Sequence, residues 1–131
     1  MTGAEVFRFD GIDWADEMQG TATTAPPPGS LVAAAQKLGA RRKRMVRGEN
    51  GFFMNHSELP PGFEVPPHQH DHDELLVVVE GGCTLDGTTT LGPNDAVVIT
   101  GGHTYGFVCG PEGMRLLTIR TGEASTFLAD S

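Results

Sequence analysis

Along most of the chain, short runs of β-formers alternate with clusters of glycine, proline, asparagine and aspartate every eight to twelve residues. That spacing predicts many short strands arranged as a sandwich or barrel. Strands are expected over Arg41 to Arg47 and Gly51 to Leu59, with Gly48-Glu49-Asn50-Gly51 as a hairpin connection. Pro60-Pro61-Gly62 is the next turn, and a strand within GFEVPPHQHDHDELLVVVEG, Gly62 to Gly81, follows it. Beyond Gly81-Gly82 come Cys83 to Leu85, the turn Asp86-Gly87, Thr88 to Leu91 and the turn Gly92-Pro93-Asn94-Asp95. Ala96 to Thr100, Tyr105 to Val108 and Met114 to Arg120 complete the set. Upstream, Val6 to Phe9 reads as a short strand, and the three prolines of TATTAPPPG, Thr21 to Gly29, exclude helix. Ser30 is placed to cap one short helix through Leu38, rich in helix formers and stopped by Gly39. The expected organisation is a single domain: an arm, connector and helix over residues 1–39, packed on a barrel over 40–131.

Composition supports the all-β reading. A chain of 131 residues holds one core, its 38% hydrophobic and 20% charged content is globular, and 18 Gly with 9 Pro favour turns over long helices. The formal charge of −8 argues against nucleic-acid binding, which needs a broad basic surface. No segment has the length of a membrane span, and the first twenty residues lack the features of a signal peptide, so the expected location is the cytoplasm. Cys83 and Cys109 match neither a redox CxxC nor a zinc ribbon and read as small core residues. Six of the nine basic residues fall between Lys37 and Arg47. Two readings stand: a solvated strand edge that discourages edge pairing, which is favoured, and a site for an anionic substrate or acidic partner.

The chemistry concentrates after Gly62. In an extended chain alternate side chains share a face, so His68 and His70 project together and Glu74 has the same parity. Three ligand atoms can then converge on one ion, and imidazole with carboxylate but no thiolate favours iron(II), manganese, nickel, cobalt or zinc with open positions. His72 has the same parity but sits in the HDHDE bend and is expected to be exposed, and His56 is expected to be a satisfied surface histidine.

These residues resemble the cupin family, whose first motif is G-x5-H-x-H-x3-E-x6-G; Gly62, His68, His70, Glu74 and Gly81 stand at all five positions. The second motif, G-x5-P-x-G-x2-H-x3-N, anchored on His103, finds Gly92 and His103 but departs at Val98, Thr100 and Phe107. A second alignment puts Asp95 at the acidic turn position, with two residues deleted and Gly101-Gly102 forming the turn. The resemblance spans about Met45 to Arg120. It implies a double-stranded β-helix, a metal held by His68, His70, Glu74 and His103 inside the barrel mouth, and a homodimer built partly by N-terminal strands.

Tyr105 lies two residues beyond His103; in a regular strand both point inward, making the phenol a candidate proton donor, although a core tyrosine bonded to a backbone carbonyl is an equal reading. Glu74, if not a ligand, is a candidate proton acceptor. The expected function is a metal-dependent small-molecule enzyme, first a dioxygenase-like oxidoreductase acting on a chelating oxygenated substrate. The alternatives are a metal-dependent isomerase, cyclase, decarboxylase or lyase, and a non-catalytic binding or sensing module.

Overall fold

The structure, a computed structural model, describes residues 3–15, 22–23, 39–122 and 125–128. The helix expected over Ser30 to Leu38 lies outside the described residues. The described residues form nine strands: β1 (Ala22–Thr23), β2 (Arg41–Arg47), β3 (Phe53–Leu59), β4 (Glu64–His70), β5 (Glu74–Leu85), β6 (Thr89–Leu91), β7 (Ala96–Ile99), β8 (Tyr105–Arg120) and β9 (Ser125–Leu128). They pair in the path β1-β9-β4-β8-β3-β2, with β5 bonded to β8, β7 and β6. Apart from the parallel β1/β9 pair, every pairing is antiparallel. The result is the double-stranded β-helix. None of the described helices is long and apolar enough to cross a membrane.

Two expectations about the strands are corrected. Val6 to Phe9 is not a strand; a 3-10 turn over Phe9–Gly11 interrupts it. The predicted breaks at Gly81-Gly82 and between Val108 and Met114 are bends inside long strands, because β5 and β8 run on through them with shifted register. Glycine permits this. Gly81 and Gly113 have φ of 72° and 73°, and a Cβ on Gly81 would collide with the Gly113 carbonyl oxygen. Beyond the bend, Cys83 and Cys109 face each other across the β5/β8 pair, both buried and both free.

The core gathers Leu76, Val78, Cys83, Ile99, Tyr105, Phe107, Cys109, Met114 and Leu116. On β2 the alternation divides the basic cluster between two faces. Lys43 and Arg41 turn outward beneath the N-terminal segment: the Lys43 Nζ donates to the Phe9 carbonyl at 2.7 Å and lies 3.7 Å from the Phe9 ring centroid, and the Arg41 guanidinium stacks 3.9 Å from the Trp14 centroid. His56, opposite Lys43 in register, is buried there, edge-on to Phe9 at 4.8 Å. Arg42, of opposite parity, lines a cavity on the inner side. The favoured reading of a solvated edge therefore does not describe Lys43, which is 6% exposed.

Candidate functional site

The cavity, about 210 Å³, is walled by β2, β3, β4, β5 and β8. One end carries His68 and His70 from the end of β4, Glu74 and Tyr105 as the first residues of β5 and β8, and Arg120 as the last residue of β8. Leu59, Val65, Leu76, Phe107 and Leu116 supply the apolar lining. A third group is polar: Arg42, Asn55, Ser57 and Thr118.

Glu74 is 3% exposed and both its oxygens are engaged. The Tyr105 hydroxyl donates to Oε1 at 2.8 Å, and the Arg120 Nη1 donates to Oε2 at 3.2 Å. The Tyr105 oxygen is also 3.3 Å from His70 Nε2; with the phenol proton directed at Glu74, that contact is satisfied by an Nε2–H donor. The chain His70 Nε2–H to Tyr105 O–H to Glu74 is thus continuous. His68 Nδ1 lies 2.9 Å from the Pro66 carbonyl, which can only accept, so in the neutral ring Nδ1 holds the proton and Nε2 keeps its lone pair. Burial lowers the His70 pKa, outweighing the opposing attraction of Glu74. Burial first, then the Glu74 charge and hydrogen bond, pushes the Tyr105 phenol far above its ordinary range, so it stays a donor.

The structure therefore brings His68, His70, Glu74 and Tyr105 together. It does not bring His103 to them. His103 is exposed in the turn that precedes β8, its N–H bonded to the Thr100 carbonyl at 3.0 Å. Gly102 N–H bonds the His70 carbonyl and Gly101 N–H bonds Asp73 Oδ1, docking that turn on the HDHDE bend. His103 and Tyr105 share parity, but the alternation of a strand begins only at Tyr105, which is the first inward side chain. His72 is exposed and paired with Asp71.

The metal expected from the resemblance is not matched by this donor set. Among the described residues no group of three or more His, Cys, Asp or Glu is placed to hold an ion. Each Glu74 oxygen already accepts one hydrogen bond, from a phenol and from a guanidinium, and Arg120 brings a positive charge to the point where a cation would sit. Sequence reasoning missed Arg120, Asn55, Ser57 and Thr118, and it named Arg42 only within the basic cluster. For Arg42, the alternation of Arg41 to Arg47 was an available signal, since it sends every second residue inward.

A cupin-domain family model matches residues 55–120, which is 66 of the 131 residues. The chain belongs to the cupin family. Among solved structures, it is similar to a sugar phosphate isomerase of the cupin superfamily from Silicibacter pomeroyi, with a TM-score of 0.67 at 22% identity over 97% of this chain and 83% of that one. The polyketide cyclase RemF from Streptomyces resistomycificus superposes with a TM-score of 0.64 at 21% identity over 90% and 79%. KdgF from Halomonas sp. gives 0.63 at 22% over 91% and 94%. At these identities the likeness is one of fold. No curated protein matches the chain.

Proposed function

We propose that the cavity is the active site of a small-molecule enzyme that works by proton transfer on an oxygenated, enolisable substrate, giving isomerase, cyclase or lyase chemistry. The observation that carries this reading is the buried relay in which Tyr105 donates to Glu74 at 2.8 Å and meets His70 at 3.3 Å. His68 accepts a proton from the carbon beside a substrate carbonyl, through the Nε2 lone pair that its bond to Pro66 leaves available. Tyr105 turns its O–H from Glu74 to the substrate oxygen, where charge develops. His70 Nε2–H keeps its bond to the phenol oxygen and holds it in place, and Arg120 balances the Glu74 charge. A cavity of about 210 Å³ is smaller than the ~300–1,000 Å³ sites of drug-sized ligands, which favours a small metabolite. A dioxygenase with His68, His70, Glu74 and His103 around iron(II) has less support, since His103 lies in an exposed turn and Glu74 is already engaged.

The test is deuterium incorporation, followed by proton NMR, on a panel of hydroxyketones and β-dicarbonyls in D2O, with chelator-treated protein under argon. Exchange is expected to persist under those conditions. In Tyr105→Phe and in His68→Gln it should fall by roughly 10²–10⁴-fold, the usual contribution of a positioned acid or base. Turnover that needs both dioxygen and a restored metal ion would return the protein to the dioxygenase reading.

A further inference from the structure

The cavity lining includes polar groups on β2, β3 and β8 that the proton relay does not use. In register across the sheet, Arg42 of β2 faces Ser57 of β3, and Ser57 faces Leu116 of β8. One step along, Arg44 faces Asn55, and Asn55 faces Thr118. Arg42, Ser57, Asn55 and Thr118 all line the cavity, as does Arg120 at the end of β8. The described lining residues include two guanidinium groups, Arg42 and Arg120, the second of which donates one N–H to Glu74. The Nε of Arg120 is buried without an acceptor among the described residues. A buried donor left unpaired is costly, so the Arg120 Nε beside the cavity is suited to an incoming acceptor.

We infer that the substrate is an anion, a small carboxylate or phosphate ester, gripped by the forked donors of Arg42 and Arg120 and by the neutral polar groups of Asn55, Ser57 and Thr118. This rests on reading the cavity as the working site and names its substrate class. Carboxylate and phosphate share the feature that matters: two or more oxygens spaced to accept from one guanidinium. Electrostatics agree. Burial, then repulsion from Arg44 and Arg120, lowers the Arg42 pKa to about 10, the sign of positive charges gathered in a dry place. A bound anion relieves that repulsion. Leu59, Val65, Phe107 and Leu116 line the rest of the cavity around the remainder of the molecule, and Arg120 stands beside the relay through Glu74, so the anionic group and the reacting carbon are close neighbours in a small substrate.

Calorimetric titration tests this with malonate and inorganic phosphate as probes and uncharged malonamide as comparator. Saturable binding of malonate or phosphate is expected, at least about tenfold tighter than malonamide, as charge-assisted bonds require. The tighter of the two anions identifies whether the carboxylate or the phosphate is the natural handle. Arg42→Gln should weaken anion binding by about tenfold or more, with Arg42→Lys between it and the wild type because charge is kept and the fork is lost. Thermal unfolding of each variant checks that it is folded. The inference is overturned if folded wild type binds neither anion, if malonamide binds as well, or if both Arg42 variants bind like wild type. Binding of malonate by a protein that exchanges no substrate proton would sink the proton-transfer reading alone. Exchange of a β-keto acid anion in Arg42→Gln with wild-type rate and affinity would sink the anion alone.

Discussion

Glu74 is a buried charge, and what becomes of it depends on two neighbours. Arg120 supplies the opposite charge at 3.2 Å and Tyr105 a neutral hydrogen bond at 2.8 Å. Removing one member of such a buried pair leaves an uncompensated charge and costs about 3–5 kcal/mol. Arg120→Met should therefore lower the urea midpoint markedly, and Glu74→Gln in the same background should recover most of the loss. An Arg120→Met protein with an unshifted midpoint would show that the pair carries no such weight.

His56 makes a second residue-level prediction. Its pKa is lowered, first by burial and then by Arg115, with Lys43 acting in the same direction and Glu58 opposing. Between that lowered value and the ordinary ~6.5, the unfolded chain binds a proton that the folded chain refuses. Stability contributed by a neutral His56 is present above pH ~6.5 and is lost as the pH falls through that window. His70 acts with the same sign. Urea midpoints should be level above about pH 7 and decline below about 6.5, less steeply in His56→Gln. A Gln variant with the full wild-type slope would exclude His56 as a source.

At the scale of the element, the bend in β5 and β8 is the device that lets two long strands serve both layers of the barrel. Gly113 has φ of 73°, and a Cβ there would strike the Leu59 carbonyl oxygen. Gly113→Ala combines a left-handed backbone with a backbone collision. It should cost at least about 1–3 kcal/mol, measured from the denaturation midpoint, whereas Gly87→Ala, which meets no atom within 4 Å, should cost less. The same bend explains where the sequence was misleading about elements. Glycine pairs signal turns, and nothing local distinguishes a turn that ends a strand from a bulge that redirects one. Strands β2, β3 and β7 lay within about two residues of expectation because charge or turn residues bound them on both sides. The His68, His70, Glu74 grouping was legible through strand parity. The choice between His103 and Tyr105 was not, since both have the same parity and only the length of the turn between β7 and β8 decides which one enters the cavity.

For the whole molecule, one strand joins the outside to the inside. Along β2, Arg41 and Lys43 hold the N-terminal segment through Phe9 and Trp14, while Arg42 between them lines the cavity. The basic cluster was visible in the sequence, but its division between two jobs required the register of β2 on β3, which long-range pairing fixes and composition does not. The β5/β8 seam runs through the centre of the same assembly. There Cys83 and Cys109 sit opposite one another, with thiols that burial pushes up, Cys109 to about 12. Closed thiols of this kind ignore alkylating reagents, so their rate of modification by iodoacetamide becomes a clock for how often the seam parts. When reclosing outruns labelling, ligand bound in the cavity should slow that clock by the factor 1 + [L]/Kd, provided the seam must part from the ligand to open. The molecule thus carries its own occupancy gauge, readable by mass spectrometry before any product has been recognised.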